Sequence, residues 1–169
     1  MRRIAFALVA VAAVSGAVGT MAPVSGQAEG EAISTPPAGY RDWRLISVAH
    51  EEGNLNDLRA ILGNDVAIKA SRDGTPYPDG AIIARLAWSY DRLEEGEKAF
   101  GRPQSFVAGR PKNGVQFMIK DSTRYAATGG WGFAHFDDGK PAGAAVHSTC
   151  FPCHVNAKDR DFVFNRYAP

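Results

Sequence analysis

Residues 81–90 read AIIARLAWSY, the longest apolar run in the chain after residue 28. Its length and alternation predict a central β-strand, entered from the turn-rich PYPDG at 76–80. On a strand, Ile83, Arg85 and Ala87 share one face, which makes Arg85 the one charge within AIIARLAW. A guanidinium in that position needs a polar partner if it is buried, or must reach along the strand to water.

The neighbouring segments repeat the strand pattern. Residues 114–121, GVQFMIKD, place Val115, Phe117 and Ile119 on one face and Gln116, Met118 and Lys120 on the other. WGFAHF at 131–136 alternates again, and the DDGK that follows is a hairpin signal. Upstream, Trp43 to His50 carries apolar residues on both faces and is expected as a strand buried on two sides. Leu58 to Leu62 is a further apolar run, stopped at Gly63 and Asn64. Asn64 is the expected cap of a short helix carrying Val66, Ile68 and Ala70, with Lys69 and Arg72 toward solvent and Asp73 and Gly74 at its end. Ser122 is the expected cap of a helical turn through Arg124, Tyr125 and Ala126, which Gly129 and Gly130 break. From Ala142 onward the period of two is lost, and both the 147–155 segment and the DFVFNRYAP tail are expected as short helices or helical turns. Strands first and helices at the ends argue for an α+β fold with a mainly antiparallel sheet.

The first 28 residues differ in kind. Arg2 and Arg3 precede an apolar stretch from Ile4 to Val18, and Gly26 and Ala28 supply small residues for cleavage. This order predicts a signal peptide over 1–28 and export to the periplasm. The stretch is shorter than the roughly 20 residues that span a bilayer, so no membrane attachment is expected after cleavage. Residues 29–39, polar and interrupted by two prolines, are expected as a flexible lead, with one domain over 40–169. Two of the 19 basic residues and none of the 18 acidic ones lie in 1–28, so the remainder carries a formal charge of −1. That balance, with no basic run, excludes a nucleic-acid binder of the ordinary electrostatic kind.

Residues 147–155 read HSTCFPCHV and contain the chain's two cysteines, Cys150 and Cys153, with His154 directly after. Two residues between cysteines and a histidine next to the second is the spacing that attaches c-type haem, the thiols bonding the vinyl groups and the imidazole ligating iron. A structural zinc site would have to recruit two of His50, His135, His147 and His154. A thioredoxin-like pair would need a βαβ context that this segment lacks, and a simple disulfide is the third alternative. Haem c, one per chain, is the preferred reading, and an exported chain suits it. Small c-type cytochromes are ordinarily helical with the motif early, whereas here it comes late in a strand-rich sequence.

Taken together, PYPDG and its strand, FMIKDSTRYA, GGWGFAHF, CFPCH and the closing DFVFNRYAP, in that order from about Tyr40 to Pro169, resemble the cytochrome P-460 and cytochrome c′-beta family of exported mono-haem proteins. The resemblance implies an antiparallel sheet with flanking helices, a homodimer, Cys150 and Cys153 as porphyrin anchors, and His154 as the iron's one protein ligand. It also implies a division of function. In the hydroxylamine-oxidising members a lysine bonds covalently to the porphyrin edge, and its place here, counted from Asp79 and Gly80, is Arg85. A guanidinium stays protonated where a lysine amine can become a nucleophile, so no cross-link is expected. Arg85 is then a candidate to meet a haem propionate or a polar distal ligand. Lys69 and Lys120 are less favoured as substitute cross-linkers.

The oxidases also use a distal carboxylate just before the haem motif, where this chain has GAAVHST. His147 is the one titratable group there and a candidate proton acceptor, with a surface position as the alternative. An open iron face suits small diatomics such as nitric oxide, which bind reduced haem without a proton. Trp88, Phe117, Trp131 and Phe133 are candidates to crowd that face, or plain core. The expected function is therefore a gas-binding periplasmic cytochrome, with a small gaseous or nitrogenous ligand and a redox partner protein as possible partners. The alternatives are an oxidoreductase acting on hydroxylamine or nitric oxide, and a six-coordinate electron carrier using Met118 as sixth ligand.

Overall fold

Asn64 shows how the sequence builds this fold. Its side-chain oxygen accepts from the Ala67 amide at 2.9 Å, capping the first helix, α1 (Asp65–Asp73), which a left-handed Gly74 closes. The same oxygen accepts from the Ile82 amide at 3.1 Å, and the side-chain amide donates to the Gly80 carbonyl at 2.8 Å. One residue thus ends a strand, starts a helix and fixes the entry of the next strand.

The computed structural model describes residues 33–143 and 145–168. Six strands, β1 (Arg44–Glu51), β2 (Asp57–Gly63), β3 (Ile82–Arg92), β4 (Phe106–Lys120), β5 (Trp131–Asp137) and β6 (Lys140–Pro141), pair antiparallel in chain order. With α1, α2 (Glu94–Phe100) and α3 (Ala145–His154), this is the expected α+β architecture. AIIARLAWSY is the heart of β3, inside the sheet between β2 and β4. The DDGK hairpin joins β5 to β6, with Asp138 and Gly139 both at positive φ. No helix among the described residues is long and apolar enough to cross a membrane. The expected signal peptide lies outside the described residues. Of the 29–39 lead, Ile33 packs against the sheet.

Paired residues of an antiparallel sheet share a face. Ile61, Arg85, Gln116 and His135 therefore form one row, and Gly63, Ile83, Met118 and Phe133 the next. On this face pack α1, through Ala67, Ile68 and Ala70, and α3, through Cys150 and Phe151. The opposite face carries Leu62, Ala84, Phe117 and Ala134, covered in part by Tyr40 and Trp43.

Four expectations are corrected. β1 is not buried on two sides: it is the sheet edge, with Val48 67 % exposed, and a bulge between Leu45 and Ser47 turns Ile46 inward. β4 begins eight residues before Gly114, pairing with the end of β3 through irregular register, and α2 caps this arm. Glycines and prolines, with apolar residues such as Phe106 and Val107 exposed, hide that arm from periodicity. Asp121, not Ser122, caps the turn, its Oδ1 accepting from the Thr123 and Arg124 amides. Ser122 instead gives both its amide and its hydroxyl to Asp79, tying β4's end to the PYPDG turn. Finally, a 3₁₀ segment spans Val155–Arg160, but the tail after it is not helical, and the Ala168 amide bonds the Ile46 carbonyl at 2.8 Å.

Replacing Asn64 with Ala removes a cap of about 1 kcal/mol and two further hydrogen bonds of about 0.5–1.5 kcal/mol each. Urea unfolding of Asn64→Ala is expected to show a loss of about 2–4 kcal/mol; an unchanged midpoint would contradict this account.

Candidate functional site

The motif HSTCFPCHV lies on α3 and runs into the 3₁₀ segment. Cys150 and Cys153 are both free thiols, one half-buried and the other exposed. Three positions apart on a helix, they share one side. Burial pushes the Cys150 thiol above its ordinary value, against a lowering hydrogen bond from Thr149, so it is a thiol at neutral pH. Phe151 packs toward Phe133 and Phe162, with ring centroids 6.3 and 5.5 Å away, and seats the helix on β5.

His154 is held on three sides. Its ring lies 4.9 Å from that of Phe133 and 5.1 Å from that of Phe164, and its Nδ1 is 2.7 Å from the Phe162 carbonyl oxygen. A carbonyl only accepts, so Nδ1 carries the hydrogen and Nε2 carries the lone pair. Burial lowers the His154 pKa, and the Phe162 hydrogen bond only partly opposes it. The result is a neutral imidazole with its tautomer fixed and its second nitrogen ready to donate to a metal.

Across the same sheet face runs a buried charge cluster. Asp57, fully buried at the start of β2, accepts from Arg59 Nε at 2.6 Å, from Arg85 Nη2 at 3.1 Å and from Asn113 Nδ2 at 3.2 Å. Arg59 also reaches Glu51 at 2.7 Å. Arg85 therefore neither snorkels nor waits for an outside partner, since Asp57 supplies one within the chain. Burial alone would raise the Asp57 pKa, but the Arg59 hydrogen bond and the charges of Arg59 and Arg85 hold it below the ordinary carboxylate value. Burial and the neighbouring Arg59 push Arg85 downward, opposed by Asp57 and Glu51. Arg85 Nη1 remains buried without a hydrogen bond. So does His135 Nε2, which lies 3.3 Å from an Asp137 oxygen but outside hydrogen-bond geometry.

The other sequence candidates separate. Lys69 is exposed on α1 and pairs with Asp73, and Lys120 pairs with Asp161 beneath the Trp131 ring, so neither is a free nucleophile. Trp88 and Phe117 lie on the opposite sheet face and cannot crowd a group held by α3, whereas Trp131 and Phe133 lie on the site's face. Met118 packs half-buried against the core on that same face. His147 is on α3, but its side chain lies outside the described residues. Among the described residues no three His, Cys, Asp or Glu side chains form a metal-binding group. His50 packs edge-on against Tyr90, 5.4 Å away. Sequence reading missed Asp57 and its cluster. The signal was the NDLR segment, in which Asp57 and Arg59 alternate onto one strand face.

The donor set fits haem. Two thiols one helical turn apart are followed by a neutral imidazole with Nε2 open, and the adjoining sheet face holds a buried guanidinium nitrogen that no protein acceptor takes. The helix carrying Cys150, Cys153 and His154 is seated on an antiparallel sheet rather than within a helical bundle. The family model for Cytochrome P460 matches residues 37–165. The chain belongs to the cytochrome P460 family and is a haem-binding cytochrome. No curated protein matches the chain.

Removing the Asp57 carboxylate leaves Arg85 without its ion-pair partner and Arg59 with Glu51 alone, and breaking such a buried pair costs about 3–5 kcal/mol. Asp57→Ala is expected to lose that much in chemical denaturation. The folded pKa lies below the ordinary 3.8, so the carboxylate's contribution is full above that value and is lost as pH falls through the folded one. The difference in stability between wild type and Asp57→Ala should therefore shrink in acid; a difference independent of pH would contradict the assignment.

Proposed function

We propose that the protein is a periplasmic mono-haem c-type cytochrome that binds small gases such as nitric oxide at an open iron face. Cys150 and Cys153 would hold the porphyrin through thioethers, and His154 Nε2 would be the iron's protein ligand. The observation that carries this reading is the His154 geometry: Nδ1 is committed to the Phe162 carbonyl, leaving Nε2 as the donor beside two free thiols. Bound haem supplies a redox-active iron with affinity for diatomic ligands. The rings of Phe133 and Phe164 flank the imidazole, and Phe151 packs against Phe133.

Arg85 supports gas binding over hydroxylamine oxidation. It stands where the oxidases have their cross-linking lysine, it is ion-paired to Asp57, and a guanidinium so held is no nucleophile. Its unpaired Nη1 is instead a hydrogen-bond donor for a haem propionate or for a polar ligand. An oxidoreductase acting on hydroxylamine is the second reading, and it would need another proton acceptor such as His147. An exported location follows from the 1–28 segment. The homodimer implied by the resemblance is supported by Phe100, Phe106 and Val107, exposed on α2 and the β3–β4 arm.

Intact mass of periplasmically expressed protein is expected to show one added haem, lost or left singly attached in Cys150→Ala and Cys153→Ala. Visible spectra should be five-coordinate in the ferrous state. A six-coordinate low-spin spectrum in both oxidation states would remove the open site and favour Met118 as ligand. Hydroxylamine turnover with an artificial acceptor is expected to be absent, and its presence would restore the oxidase reading. In Arg85→Lys, a porphyrin absorbance shift absent from wild type is expected if the position is that of the cross-linking lysine.

A further inference from the structure

We propose that Asp161 is a positioning residue for His154, acting through the Phe162 carbonyl; this rests on His154 being the iron ligand. Asp161 and Phe162 are consecutive non-glycine residues at positive φ, 51° and 64°. Such a pair is sterically disfavoured and persists only where its surroundings hold it. Aspartate tolerates the left-handed region better than most residues, but phenylalanine does not share that tolerance.

The hold comes from Asp161. Its Oδ2 accepts from the Tyr77 amide at 2.9 Å, and its Oδ1 accepts from Lys120 Nζ at 2.6 Å and from Trp131 Nε1 at 3.3 Å. Its backbone carbonyl accepts from the same indole at 2.8 Å, and its amide donates to the Lys158 carbonyl at 3.1 Å. The side chain is 16 % exposed, its Lys120 partner 11 % and Trp131 fully buried. The turn after α1, the end of β4 and the start of β5 thus converge on one carboxylate, each from a different part of the chain.

That anchor fixes the reversal that brings the Phe162 carbonyl back to a histidine eight residues earlier. The Phe162 ring locks the same turn from its far side, packing on Phe151 and over the bare backbone of Gly129, where an added Cβ would meet the ring at 2.2 Å. With the Asp161 ties gone, the two left-handed residues are free to relax and the carbonyl moves off Nδ1. A weaker Nδ1–H···O bond makes Nε2 a poorer donor, because such partners raise the basicity of a ligating imidazole.

The test uses haem-loaded full-length protein as wild type, Asp161→Ala and Asp161→Asn. The readouts are the ferrous iron–histidine stretching frequency by resonance Raman, the midpoint potential and the thermal midpoint. Both variants are expected to lower the stretching frequency and raise the potential. The effect should be smaller in the asparagine variant, which keeps an acceptor and a left-handed preference but loses the Lys120 ion pair. If the alanine variant does not fold, the asparagine variant decides. Variants that fold with the wild-type frequency and potential, changing only the thermal midpoint, would overturn the proposal and leave Asp161 a merely structural anchor. A wild type with no iron–histidine stretch would instead overturn the haem assignment on which the proposal stands.

Discussion

Arg85 lies opposite Ile61 on one neighbouring strand and opposite Gln116 on the other, and that register controls what faces the motif helix. The side-chain period of a strand is two, so a slip of one residue would send Arg85 to the far side and bring Ala84 or Leu86 onto the face that α3 packs on. Asn64 prevents the slip at one end, through Ile82 and Gly80. Ser122 holds the same end from the β4 side, through Asp79. The Asp57 cluster adds an electrostatic lock, since a slip of β3 against β2 would separate the Arg85 guanidinium from the buried Asp57 carboxylate.

A buried aspartate paired with two largely buried arginines, one of them reaching an exposed glutamate, is costly relative to apolar packing. Its persistence on the face that receives α3 is best understood through what it presents. Asp57 uses both oxygens on Arg59, Arg85 and Asn113, and so holds Arg85 while leaving Nη1 unengaged. A lysine at the same place would be a point charge with three rotatable donors, less rigidly directed and easier to deprotonate. On the proposed correspondence of Arg85 with the oxidases' cross-linking lysine, the guanidinium would replace a group able to bond covalently with one that donates a hydrogen bond from a fixed direction.

β3 and β5 were legible as apolar runs of strand length, although both of their faces pack into core, and β5 also by its hairpin turn. The second half of β4 was legible by its alternation in sequence, and α1 by its Asn64 cap. The β3–β4 arm was not, because it leaves the sheet and exposes residues such as Phe106 and Val107, so no face is marked by hydrophobicity. Cys150, Cys153 and His154 were legible as a local spacing. Asp57 and Asp161 were not, although each anchors one side of the site. Their partners stand far off in sequence, Arg85 from Asp57 and Tyr77 from Asp161, and a lone aspartate carries no local mark of a distant cation or amide.

The non-helical tail follows from the same long-range demand. A helix continued past Arg160 would satisfy its own backbone but would carry the Phe162 carbonyl along the helix axis, away from His154. The chain instead takes two left-handed residues, stabilised by contacts from β4, β5 and the turn after α1. Extended residues then set Phe164 against the imidazole and return the chain to β1 at Ile46. The orientation of the His154 ring is thereby coupled to the sheet as a whole rather than to its own helix.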